Sequence, residues 1–255
     1  MRVILLLLVC AAALRAQDPF EIHVYEYEPL PLGTFVYEAH TNYVPSGTKT
    51  YDGLVGPTQD QFHFTSELTA GITDDFRAAF VLLTARRPCH PLEYAGFRVL
   101  PHIYAPSRWR LPLNLSFVAE FSFAEAEYVE NPWQVELRPI VEKHIGRLQL
   151  DGNPVFSRAL RGLNNSQGWA FEPAARIGWQ VSRTFTPSME YYSSWGPVRH
   201  FEAVHDQIQQ IFAGGDLRLR ENFMWSFGVG FGLTEAGSKL ILKSHFQIKF
   251  DGRKP

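Results

Sequence analysis

The sequence predicts an all-β protein, an up-and-down antiparallel transmembrane β-barrel of about twelve strands. Three observations carry that expectation. Segments with large apolar residues at every second position recur along the chain after residue 33, and a period of two marks a strand with one apolar face. Aromatic residues make up 14% of the chain, with 20 Phe, 10 Tyr and 6 Trp, while hydrophobic content stays ordinary at 45%. The connections alternate between tight turns and long loops, as in a chain that crosses a membrane up and down.

The elements follow in order. MRVILLLLVCAAALRAQ has a positive charge at Arg2, an apolar run over residues 3–14, then Arg15 and the small residue Ala16. That layout predicts a secretory signal peptide over 1–16, because the run is shorter than the roughly 20 residues a spanning helix needs. Cys10 follows Val9, which is too large for a lipoprotein cleavage site. Residues 17–33 are expected as an N-terminal periplasmic segment, 34–250 as the barrel and 251–255 as a C-terminal tail. After cleavage only Cys89 remains, so no internal disulfide and no cysteine-rich metal site are expected. A net charge of −2 offers no basic patch for nucleic acid, and no cofactor is implied.

The first strands are read at 34–44, where Phe35, Tyr37, Ala39, Thr41 and Tyr43 oppose Glu38, His40 and Asn42, and at 61–72, where Phe62, Phe64 and Leu68 oppose His63, Thr65 and Glu67. Segments 76–85 and 93–104 follow. Segment 111–123 puts Leu111, Leu113, Leu115, Phe117, Ala119, Phe121 and Phe123 on one face. The second half continues at 133–142, 147–156, 170–181, 188–195, 206–219, 221–233 and 239–250. Tight turns fall near 73–75, 144–147, 182–187 and 219–222, and longer links at 45–59, 86–91, 126–132, 157–168 and 196–205. An even strand count leaves both termini on the short-turn side, which in such barrels is the periplasm.

A soluble β-sandwich also alternates, but its second face meets water and carries many charged residues. Here the second faces hold small residues and isolated charges of both signs, which suits a narrow lumen. Segment 221–233, ENFMWSFGVGFGL, shows the contrast. Phe223, Trp225, Phe227, Val229 and Phe231 alternate with Met224, Ser226, Gly228, Gly230 and Gly232. With the large residues toward lipid, the glycines leave a low inner wall, along which a path through the barrel is expected.

The same logic places Glu38, His40, His63, Glu67, Arg98, His102, Glu120, Glu136, Arg138, Glu142, Glu172, Arg176, Glu190, Lys243, His245 and Lys249 toward the lumen. Ionisable groups at membrane depth need an enclosed environment and partners. The mixed signs point to mutual pairing that holds the lumen partly closed, rather than to a single-sign ring. About twelve strands leave less room than the 16–18 of general porins.

DPFEIHVYEYEPLPLGTFVYEAHTNY, FHFTSELTAGITDDFRAAFVL, NPWQVELRPIVEKHIGRLQLDGNPVF and FEPAARIGWQVSRTFTPSMEYY resemble uncharacterised outer-membrane β-barrels of Gram-negative bacteria. That group is loosely related to the transporter-like barrels of the phenol-degradation MetA type. The resemblance covers almost the whole mature chain. It implies an outer-membrane location, contact with outer-membrane lipids and the barrel-assembly machinery, and passive or facilitated movement of a small solute, hydrophobic ones included. It carries over no catalytic residues. The tail DGRKP departs from the pattern, since Phe250 lies inside the terminus rather than at it.

Two other classes compete with a channel. A structural or surface barrel with a plugged lumen would use the same charges as locks. A barrel lipase or esterase would need a serine within reach of a histidine, and His63 and Ser66 fall on opposite faces of one strand. His40 and Asn42 share a face with no serine assigned beside them, and no G-x-S-x-G elbow is present. Cys89, His90, Glu93 and His102 lack zinc-type spacing. The expectation is therefore a non-enzyme without a metal.

Overall fold

The computed structural model describes residues 19–252; the expected signal peptide and the last three residues of the tail lie outside that range. Alternation in sequence becomes alternation in burial. In β1 (Thr34–Ser46) every second residue is buried from Thr34 to Val44, and the residues between are half-buried or exposed. The remaining strands are β2 (Phe62–Thr73), β3 (Phe76–Arg86), β4 (Glu93–Tyr104), β5 (Asn114–Ala124) and β6 (Trp133–Ile145). They continue with β7 (Leu148–Asn153, resuming as Phe156–Arg161), β8 (Trp169–Phe171, resuming as Ala174–Trp179) and β9 (Phe185–Ser194, resuming as Gly196–Pro197). The last are β10 (Ile208–Arg220), β11 (Phe223–Gly232) and β12 (Leu240–Asp251).

Each strand pairs antiparallel with the next, and β12 returns to β1, with Asp251 opposite Thr34 and Leu240 opposite Ser46. The result is a closed 12-strand barrel. Closure removes the exposed edges that an open sheet of this size would present. Asp251, assigned to the tail from sequence, is the last ladder residue. Among the described residues no helix is long and apolar enough to cross a membrane.

The interruptions in β7, β8 and β9 lie side by side, since Asn153 and Tyr192 both pair with Ala174. Pro154 and Pro173 fall in two of the gaps, and proline supplies no N–H to a ladder. The connections β2–β3, β6–β7 and β10–β11 are tight. The links β1–β2 and β9–β10 are long and gather at the other end, so the barrel has a short-turn end and a long-loop end.

The outward faces carry apolar side chains with little cover. Leu68, Phe80, Ile103, Ile177, Met189, Val229 and Phe231 are all exposed. The inward faces carry the buried polar residues, among them Glu38, His40, Glu67, Arg98, Glu120 and Arg176. A water-soluble barrel distributes these the other way round; a barrel whose outer solvent is hydrocarbon has this arrangement.

Residues 19–33 correct the sequence reading, which set 17–33 in the periplasm. They run through the barrel. Phe20 lies at the long-loop end, where its carbonyl accepts from Asn42 Nδ2 (3.1 Å) and Thr65 Oγ1 (2.9 Å). The chain passes Lys243, Asn153 and Glu142 and reaches the short-turn end at Gly33, whose N–H donates to the Gly71 carbonyl (3.0 Å). Gly33 has φ 79°, which allows the reversal into β1. A β-carbon at Gly71 would stand 2.2 Å from the Pro31 carbonyl oxygen, so the crossing chain requires glycine there.

Candidate functional site

The site is the lumen and the segment that fills it. An extended chain without a strand partner leaves its N–H and C=O groups unpaired, a cost that burial makes large. Here inward side chains take the place of a neighbouring strand. Asn153 acts as a peptide mimic: its Oδ1 accepts from Tyr25 N–H (2.7 Å) and its Nδ2 donates to the Tyr25 carbonyl (3.0 Å). Tyr27 N–H donates to Glu142 Oε2 (2.9 Å), and Lys243 Nζ donates to the Ile22 carbonyl (3.2 Å).

The side chains of the segment enter two charge networks. In the upper one, Arg98 lies between Glu21 of the segment (3.2 Å) and Glu120 (3.4 Å), and Arg138 contacts Glu136 (2.9 Å) and Glu120 (3.9 Å). Glu120 and Glu136 are directly opposite across β5–β6; like charges so placed repel, and the two guanidiniums offset that. The Arg138 guanidinium also covers the Tyr25 ring at 4.3 Å. In the lower network Arg176 holds Glu26 of the segment (3.1 Å), Asp151 (3.2 Å) and Asp216. Lys243 pairs with Glu190 and lies over the Tyr192 and Phe212 rings.

The remaining expected lumen residues have defined places. His63 is fully buried, bonded to Gln61 (3.0 Å) and edge-on to Phe20. Glu67 accepts from Thr69 Oγ1 (2.7 Å). His102 stacks on Tyr104 and accepts from Arg77 Nε (3.1 Å). Glu38, His40 and His245 form one cluster, taken up below. Glu172 sits in the ladder gap of β8 and accepts from Ser194 Oγ (3.4 Å). Lys249 is exposed at the short-turn end, away from both networks. Sequence reasoning missed Glu21, His23, Tyr25, Glu26, Arg77, Asp151 and Asp216. For the first four a signal existed: EIHVYEYE alternates between prolines, as an extended buried segment would.

The glycine wall does not provide a path. Gly230 faces Phe212 across β10–β11, and a β-carbon at Gly230 would lie 2.2 Å from that ring. At Gly228 the space belongs to Lys243, with a β-carbon falling 3.1 Å from its side chain. The low inner wall exists, and larger neighbours occupy it.

Open space lies elsewhere. A cavity of about 160 Å³ extends from the long-loop end down to Arg98, Glu120, Glu136 and Arg138, with Asn153, Pro173 and Ser194 of the interrupted strands on its wall. Glu21 and His23 of the threaded segment form part of its lining. A second, mostly apolar cavity of about 80 Å³ lies between Ile22, Val44 and Ile241 and the β1–β2 loop. Typical small-molecule pockets measure about 300–1,000 Å³, so both cavities are smaller than a usual ligand pocket. Above the lumen Tyr128 donates to Glu93, and burial pushes its hydroxyl pKa up, so it stays a donor.

Ser66 donates to Tyr37 Oη (2.9 Å), on the opposite face from buried His63. Among the described residues no hydrogen bond joins a serine to a histidine.

A closed barrel with an apolar exterior, a charged interior and an inserted N-terminal segment defines a protein of the outer-membrane β-barrel fold. Solved structures agree at the level of fold. An outer membrane channel from Pseudomonas putida F1 is similar with a TM-score of 0.55 and 13% identity, over 90% of this chain and 100% of that one. The NanC porin matches with a TM-score of 0.55 and 7% identity, over 84% and 97%. The transport unit of the autotransporter AIDA-I from Escherichia coli gives 0.51 and 9%, over 91% and 94%. No family model matches the sequence, and no curated protein is similar to it.

Proposed function

We propose that the protein is a bacterial outer-membrane channel for a small solute, hydrophobic ones included, whose lumen is closed by its own N-terminal segment. Its short turns then lie in the periplasm and its long loops outside. The carrying observation is the lumen itself: a cavity entered from the long-loop end stops at a segment held by side chains rather than by a strand ladder. Such contacts are separable without opening the barrel wall. The similar channel and porin folds support the reading.

A second reading, a plugged barrel without transport, draws on the same ion pairs. Arg98–Glu21 and Arg176–Glu26 tie the segment at two heights. Planar-bilayer conductance and liposome swelling separate the two. The channel reading expects small, intermittent conductance for the full chain and larger steps when Glu21 and Glu26 are both changed to Gln. Absence of conductance and of solute flux from both proteins, with heat-modifiable gel migration showing folded barrels, sinks the channel reading. An esterase assay in detergent micelles is expected to show no turnover.

A further inference from the structure

We propose that His23, His40, His245 and Glu38 form a site for one divalent transition-metal ion of the zinc, cobalt, nickel or copper class, which clamps the threaded segment to the seam where the barrel closes. The wall residues come from β1 and β12. His40 and His245 are directly opposite each other across that seam, and their rings stack with centroids 4.0 Å apart. Glu38, one inward position further along β1, places Oε2 2.8 Å from His245 Nε2 and 3.5 Å from His40 Nε2. His23 approaches from the segment, edge-on to His245 at 5.2 Å and to His40 at 6.0 Å between centroids.

Two independent features point to a cation. First, His40 Nε2 is buried, in a residue only 3% exposed, and makes no hydrogen bond among the described residues, the Glu38 carboxylate standing 3.5 Å away. Orphaned buried ring nitrogens are costly. Second, Glu38 is buried, and among the described residues no lysine or arginine lies within ion-pair distance of it. Glu67 stands directly opposite Glu38 across β1–β2, and Glu21, His40 and Glu67 again bring coordinating atoms within 4.8 Å. Carboxylates of Glu21, Glu38 and Glu67 thus all come close to His40.

The donor set selects the ion. Imidazole nitrogens with one carboxylate suit borderline metals, whereas magnesium and calcium take oxygen. Coordinating atoms of Glu38, His40 and His245 already lie within 4.8 Å of one another. Tetrahedral ligation brings them to about 3.3 Å, which follows from metal–ligand distances of about 2.0–2.1 Å. The Glu38–His245 pair, now 2.8 Å apart, opens slightly while the wider pairs draw in, and side-chain rotation on two facing strands supplies both adjustments. His23, on the segment, completes a set of three histidines and a carboxylate.

The test uses the full mature chain without a histidine tag, folded in detergent and stripped with a chelator. Cobalt(II) and zinc(II) are titrated by calorimetry, and cobalt is also followed by its visible absorption. One equivalent per chain is expected, with the visible bands of a low-coordinate histidine-ligated ion. H40Q and H245Q are expected to weaken binding by about a hundredfold or more, and H23Q by about tenfold to a hundredfold. H23Q leaves the barrel wall intact, so it remains informative if the wall variants fail to fold. The proposal is overturned if the folded wild-type chain takes up no stoichiometric cobalt or zinc. It is also overturned if H23Q, folded by gel migration, binds as tightly as wild type, because a proton shared between Glu38 and the wall histidines would then suffice.

Discussion

Phe20 anchors the threaded segment at the long-loop end, and its truncation tests whether that segment controls the lumen. The ring is fully buried, edge-on to His63 with centroids 4.9 Å apart and to Tyr128 at 5.7 Å. A fully buried Phe→Ala change costs about 3–5 kcal/mol, and the edge-on contacts favour the upper half of that range. Because the ring belongs to the segment, the loss falls on its docking. The strand ladder of the barrel is untouched, and so are the bonds from Asn42 and Thr65 to the Phe20 carbonyl. At about 1.4 kcal/mol per power of ten, the undocked population rises by about three to three and a half powers of ten. F20A is therefore expected to show more frequent full openings in planar bilayers and faster proteolysis within residues 19–33 of the detergent-solubilised protein. Gel migration should remain that of a folded barrel. Unchanged conductance together with unchanged protease resistance would refute the reasoning, because the segment would then not be the closing element.

Three further outcomes follow from the same contacts. R176M leaves Glu26, Asp151 and Asp216 without their shared guanidinium; breaking a buried pair costs about 3–5 kcal/mol, so the urea midpoint should fall, and R176K should recover part of the loss. G230V drives a side chain into the Phe212 ring and is expected to destabilise by about 1–3 kcal/mol. The double variant G230V/F212A should regain most of that, and strict additivity in the cycle would argue against direct contact. N153A removes both side-chain bonds to the Tyr25 backbone, each net about 0.5–1.5 kcal/mol, and hydrogen exchange should show earlier opening of Tyr25 N–H than in wild type.

Much of the fold was legible because alternation is local. The side chain at each position of a strand points opposite to its neighbour, so Phe35, Tyr37 and Tyr43 declared the outside of β1, and Glu38, His40 and Asn42 its inside, without any knowledge of the partner strands. Interruptions were less legible. Pro154 and Pro173 were visible, yet only pairing through Ala174 shows that their gaps sit beside one another on the cavity wall. Residues 19–33 were misplaced because the alternation of EIHVYEYE marks an extended segment with buried positions but not what surrounds it. Only the asparagine, threonine, lysine and glutamate side chains reaching for its backbone decide that.

The glycines of ENFMWSFGVGFGL show the same division. Their small size was plain in the sequence, but the occupant of the space they leave, Phe212, comes from the opposite position on β10. The sequence by itself determined which face of most strands is the apolar outer one, though not that of 206–219, and that charges of both signs line the interior. The tertiary structure alone decided which of those charges meet. His245 and Glu38 are 207 positions apart along the chain and 2.8 Å apart in space. That meeting depends on the register at which β12 closes on β1 and on the path of the segment that brings His23 beside them, neither of which local alternation encodes.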